Sequence, residues 1–171
     1  MKKISIYGHR STHLCIGLFC FLFFISTPFW GQEQQYRFEY IGLEQGLPQE
    51  QVLKIIEDKE GFLWYGTMEG LVKYNGYDFT LFQPIHGDST SLSSPIVDQI
   101  LEDQEGFVWV GTHNGLNCYD RSTDSFKRYL HDDGDENSLP GNYVTWLNQD
   151  SRGRLWVGTV AGIAIYRRAS N

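Results

Sequence analysis

The run His131-Asp132-Asp133-Gly134-Asp135-Glu136 puts four carboxylates, the oxygen donors that ligate calcium, beside an imidazole within six residues. An EF-hand loop needs alternating oxygen ligands, a glycine at its sixth position and a glutamate at its twelfth, and no register of this run supplies all three. It reads instead as a solvated loop, and His86-Gly87-Asp88-Ser89-Thr90-Ser91-Leu92 shares its His, Asp and Ser-Leu at matching places. His86, His113 and His131 fall in three separate loops, and no His-x-x-x-His or Cys-x-x-Cys spacing gathers zinc ligands. The sequence contains no nucleophile elbow and no phosphate-cradling glycine loop after a strand. Asp58, Asp103 and Asp150 each stand six residues before a tryptophan. Catalysis needs one residue made unlike its copies, with a shifted pKa and a positioned partner, so a carboxylate repeated in phase is a turn residue. Tyr143 and Trp146 do depart from the other copies. If their strand lines a central channel they could stack on a sugar ring, although core packing is the simpler reading. No catalytic residue, metal ligand or cofactor site is assigned.

The phase of those aspartates gives the architecture. VLKIIEDKEGFLWYGTMEGLVKY (52–74), VDQILEDQEGFVWVGTHNGLNCY (97–119) and VTWLNQDSRGRLWVGTVAGIAIY (144–166) are three copies of one pattern. The anchors are Asp58, Gly61, Trp64, Gly66 and Gly70; Asp103, Gly106, Trp109, Gly111 and Gly115; Asp150, Gly153, Trp156, Gly158 and Gly162. Thr67, Thr112 and Thr159 stay in phase with them. The tryptophans step by 45 and 47 residues, a period that with strand-like content predicts β-propeller blades. Within the first copy, Val52–Glu57, Phe62–Thr67, Leu71–Tyr74 and Asp78–Phe82 read as strands a to d. They are separated by an Asp-to-Gly hairpin, a Glu69-Gly70 break and Asn75-Gly76. Each tryptophan is expected to fill the wedge between neighbouring blades, and the glycine two residues on lets another backbone come close.

Three blades, about 50–83, 95–130 and 142–167, make an all-β fold, with the third blade lacking strand d. Tyr36–Ile41 resembles a stray strand d that completes a blade elsewhere. On this reading the repeat region spans 36–167 as an incomplete ring, and the chain is the N-terminal piece of a longer protein. An open array leaves two blade faces uncovered, so residues 32–171 alone are expected to be marginally stable and to self-associate.

Residues 1–31 read as export machinery rather than fold. Lys2, Lys3 and Arg10 precede the apolar run Leu14–Ile25 and a polar exit, the order of a secretory signal peptide, or of a signal anchor if it is not cleaved. Without them Lys+Arg falls from 14 to 11 against 21 Asp+Glu, a net charge of −10 that argues against nucleic acid and anionic membrane surfaces. Cys118 is then the sole cysteine, which precludes an intrachain disulfide and reads as a small packing residue.

The Asp-x-x-Gly-x-x-Trp core is close to the tryptophan-docking repeat of quinone-dependent dehydrogenases and, with different spacing, to the Asp-box of sialidases. In both it is mostly structural. Read with its Trp-(Val/Tyr)-Gly-Thr-x-x-Gly continuation, and with the linkers 86–93 and 131–140 and Gly46-Leu47-Pro48, it closely resembles the two-component regulator propeller repeat. The resemblance covers about residues 36–167. It implies the periplasmic sensor region of a hybrid two-component regulator anchored in the inner membrane. Further blades, a β-sandwich, a membrane helix, a histidine kinase, a receiver and a helix-turn-helix domain usually follow. Expected partners are those blades and signalling domains, an oligosaccharide ligand and a second receptor in a homodimer, with no nucleic acid bound by this segment. None of the phosphoryl-transfer machinery lies in this sequence, and no ligand residue of the family maps onto a matching position. The alternative is a periplasmic propeller enzyme, a lyase or glycosidase, or a free carbohydrate-binding propeller.

Overall fold

The computed structural model describes residues 36–167, so residues 1–31, expected to be an export segment, lie outside the described residues. From Tyr40 the chain forms one compact unit. After a single 3-10 turn at Leu43–Gln45 it is all strand. The first sheet contains β1 (Val52–Glu57), β2 (Leu63–Thr67), β3 (Leu71–Tyr74) and β4 (Phe79–Phe82). The second contains β5 (Val97–Glu102), β6 (Val108–Thr112), β7 (Gly115–Asp120) and β8 (Ser125–Tyr129). The third contains β9 (Val144–Gln149), β10 (Leu155–Thr159) and β11 (Gly162–Tyr166). Every pairing is antiparallel between sequential strands, so each sheet is a meander with strand a at one edge. The a-strands β1, β5 and β9 are neighbours in space, which orders the three blades side by side, and the array does not close on itself among the described residues.

The repeated residues build the same parts three times. Asp58 Oδ1 accepts the backbone N–H groups of Glu60 (3.0 Å) and Phe62 (2.9 Å), while Oδ2 accepts the Trp64 indole N–H (2.7 Å). Asp103 does the same for Glu105, Phe107 and Trp109, and Asp150 for Arg152, Arg154 and Trp156. One carboxylate therefore closes the a–b turn and fixes the ring. The turn's fourth residue has φ of 86° at Gly61, 88° at Gly106 and 77° at Gly153, which glycine adopts without strain. At the b–c turn, Thr67, Thr112 and Thr159 donate their hydroxyls to the carbonyls of Gly70, Gly115 and Gly162 at 2.8, 2.9 and 3.0 Å.

The core lies between blades. Trp64 is fully buried against Phe82 of its own blade and Tyr119 and Phe126 of the next. Trp109 packs likewise against Tyr129 and Tyr166. A Cβ on Gly66 would lie 2.7 Å from the Val97 carbonyl oxygen, and one on Gly111 would lie 2.6 Å from Val144 Cγ1, so these glycines set how closely the next blade approaches.

Tyr36–Ile41 is the segment expected to complete, as a strand d, a blade elsewhere. It has the alternating aromatics of a strand d but forms no strand, and Tyr36, Phe38 and Tyr40 are 80%, 97% and 71% exposed. A strand exists through its ladder, and no sheet edge among the described residues pairs with this segment.

Candidate functional site

Side chains that differ between equivalent positions are the ones free to do something other than build blades. Each a-strand carries a bulge near its start, which inserts one extra residue: Leu53 in β1, Asp98 in β5 and Thr145 in β9. Bulges re-aim a side chain, and Asp98 alone of the three is charged. The b–c turn places Met68, His113 or Val160 at one equivalent position. Only the second blade therefore pairs an acid with a base. His113 Nε2 lies 2.9 Å from Asp98 Oδ2, and both side chains remain part-exposed.

Tyr143, the last residue before β9, completes the group from the next blade. Its ring lies 4.0 Å from the His113 ring, centroid to centroid. Burial, the Asp98 charge and a hydrogen bond to that carboxylate push its hydroxyl pKa up, so the phenol stays protonated and can donate. Asp98, His113 and Tyr143 thus form a polar cluster across the seam between blades two and three, at the end where the b–c turns emerge. It offers a carboxylate acceptor, an imidazole that donates or accepts by tautomer, and a phenol hydroxyl.

The structure brings Tyr143 into this cluster but places Trp146 elsewhere. Trp146, on β9, pairs with Gly158 of β10 and is 50% exposed. Its equivalents are Lys54 and Gln99, and Gln99 lies beside Gly111 on the face turned to the following blade, so Trp146 lies on the outer face of the third. Sequence reasoning passed over Asp98 and left His113 as a loop histidine. The available signal was their departure from Leu53/Thr145 and Met68/Val160.

Several other polar groups hold blades and loops together. Arg121, on the c–d turn of the second blade, reaches the first blade's Asp58 (3.0 Å) and Glu60 (3.0 Å) as well as Glu102 (3.1 Å). His131 donates toward the Leu139 carbonyl and toward Asp133, and both contacts raise its pKa while pinning the acidic loop. That loop is held by turns in which Asp132 and Asp135 accept the N–H groups of Gly134 and Asn137. Burial pushes the Cys118 thiol up to about 11, with Asp103 and Asp120 adding to it, which leaves the thiol inert near neutrality.

Meanders of this kind, packed face to face with a clamped tryptophan at each seam, are blades of a β-propeller. The sequence matches the family described as two component regulator propeller over residues 46–69, 91–114 and 138–161. The three repeats of this chain belong to that family. The chain is 37% identical over 80 residues to histidine kinase P4 of Formosa agariphila, a match covering 46% of this chain and 6% of that protein. Among solved structures, it is similar to the extracellular domain of BT3049 from B. thetaiotaomicron, described as a hybrid two component system. There the identity is 30% and the TM-score 0.66, over 75% of this chain and 20% of that one. Virginiamycin B lyase of Staphylococcus aureus, in an inactive variant with quinupristin, shares the fold at 14% identity and a TM-score of 0.50, over 71% of this chain and 43% of the lyase. The chain therefore spans only a small part of its sensor-protein relatives.

Proposed function

We propose that this chain is part of the periplasmic sensor region of a hybrid two-component regulator, a binding module that helps detect an oligosaccharide and passes its occupancy to a histidine kinase. In the full receptor it is joined to further blades and signalling domains, anchored in the inner membrane and paired in a homodimer. The observation that carries this reading is the kinship of its repeats with the extracellular domain of a hybrid two component system. The Asp98–His113–Tyr143 cluster is where such a ligand would be read. It breaks the repeat, bridges two blades and is part-exposed, so a ligand bound there would bias the seam between them.

Isothermal titration of the chain with a panel of oligosaccharides tests the reading, with His113→Ala as the control. At least one sugar is expected to bind, and the variant is expected to weaken it tenfold or more without shifting the unfolding midpoint. No binding by any sugar, or turnover of a sugar into products, would count against a sensor module; turnover would favour an enzyme. Export is a separate expectation. Mass spectrometry of protein made in a Gram-negative host should find an N-terminus near Gln32. Cytoplasmic protein with Met1 intact would contradict it, and an intact N-terminus in the membrane fraction would identify an anchor.

A further inference from the structure

Asn117 is wholly buried, yet it is an amide where the other two blades are apolar: Val72 and Ala164 hold the equivalent place on strand c. A second position changes with it. Four residues before the first valine of each a-strand stand Pro48, Ser93 and Pro140. The second blade therefore has a backbone N–H in its connector where the others have proline, which has none. Asn117 Oδ1 accepts that Ser93 N–H at 3.0 Å, while its Nδ2 donates to Ser93 Oγ (2.8 Å) and to the Val110 carbonyl (3.3 Å). The buried amide and the donor it satisfies occur together, and the apolar side chains occur with proline, as the cost of an unpaired buried polar group requires.

The pair reaches the candidate site. Ser93 Oγ lies 3.0 Å from Thr112 Oγ1. The single Thr112 hydroxyl hydrogen goes to the Gly115 carbonyl, so Ser93 is the donor between them. The Ser93 carbonyl accepts the Asn114 side-chain amide (3.3 Å), and the Ile96 carbonyl accepts the His113 N–H (3.3 Å). Residues 93–96 lead directly into β5 and its bulge residue Asp98, and residues 112–114 are the turn that carries His113. Asn117 thus clamps, from the blade interior, the two segments whose side chains meet in the Asp98–His113 pair.

We propose that Asn117 and Ser93 are positioning residues for the Asp98–His113–Tyr143 cluster. They set the separation at which the carboxylate meets the imidazole and the imidazole meets the Tyr143 ring. This role rests on the reading of that cluster as a ligand site, but the geometry itself can be measured with no sugar present. Proline and valine at these two places would leave Thr112 without the Ser93 hydroxyl, so the turn would lose its tether to the connector.

The test is NMR of the full 171-residue chain beside urea unfolding. In wild type a nuclear Overhauser cross-peak is expected between the His113 and Tyr143 rings, whose centroids lie 4.0 Å apart, and His113→Ala identifies it by its disappearance. Asn117→Val leaves the Ser93 N–H without its acceptor and is expected to lower the urea midpoint. Adding Ser93→Pro removes that donor as well, copies Pro48 and Val72 of the first blade, and is expected to bring the midpoint back toward wild type. In this double variant the cross-peak is nevertheless expected to be lost and the His113 ring signals to shift; a merely structural pair would restore both together. Should the double variant misfold, Ser93→Ala keeps the N–H and removes only the hydroxyl, and the same loss is expected there. A cross-peak of wild-type intensity in the folded double variant or in Ser93→Ala would overturn the proposal. So would a wild type without the cross-peak, or an Asn117→Val midpoint equal to that of wild type. No sugar enters this test, so a failure of the sugar titration counts against the ligand reading alone.

Discussion

Trp109→Ala is expected to lower the stability of the chain by about 3–5 kcal/mol, and Trp156→Ala by clearly less. Trp109 is 1% exposed, with its ring in contact with Tyr129 of its own blade and Tyr166 of the next. Truncation removes the apolar area, opens a cavity at the seam and strands the Asp103 oxygen that accepts the indole N–H. Trp156 makes the same bond to Asp150 but stays part-exposed under the Arg154 guanidinium, so less packing is lost. The loss at Trp109 is a large share of the about 5–15 kcal/mol that holds an ordinary domain folded. Urea unfolding of the two variants beside wild type measures the difference. Equal losses would mean that the seam contributes little beyond the turn. In a complete receptor, a Trp109 variant that lost its ligand response at unchanged stability would make that residue a binding contact instead.

What could be read from the sequence was what acts locally. The clamp from Asp58 to Trp64 spans six residues, and the threonine-to-glycine turn spans three. Such contacts are enforced by spacing and recur with the repeat, so the strands and turns of each blade were legible. Between blades, only the packing of the repeated tryptophan and the close approach at the repeated glycine were legible, and the polar contacts were not. Arg121 reaches Asp58 across 63 residues of sequence, and nothing in the spacing of either residue signals the other. Asp98 was hidden for a related reason: a bulge turns it toward His113, and the bulge is invisible in an uninterrupted apolar-polar run. Tyr36–Ile41 shows the converse case. Its composition suits a strand, but composition does not supply an edge to pair with.

The second large effect is expected at Asp58. Its carboxylate is wholly buried, yet it satisfies two turn N–H groups, the Trp64 indole and the Arg121 guanidinium. Burial alone would raise its pKa, but the Trp64 and Phe62 hydrogen bonds together with Arg121 outweigh that and hold the pKa below the ordinary carboxylate value. Asp150 is depressed in the same direction, first by the Trp156 indole N–H and, against partial burial, by Arg154. A carboxylate depressed on folding contributes stability that is complete at neutral pH. The contribution fades as the pH falls below about 4, the unfolded value, toward the lower folded one. Stability should therefore fall on acidification through that window. Asp58→Ala removes one partner of a buried ion pair and leaves the indole and turn donors unpaired, with an expected loss of about 3–5 kcal/mol at pH 7. Asp58→Asn keeps the shape but points an amide donor at one of these donors, so it should lose stability at pH 7 as well. Because its side chain cannot titrate, its stability should also decline less than that of wild type between pH 5 and pH 3. Urea unfolding of the three proteins across that range is the measurement. If wild type and Asp58→Asn decline in parallel, the acid sensitivity comes from other carboxylates, and the blade clamp is held by shape rather than by charge.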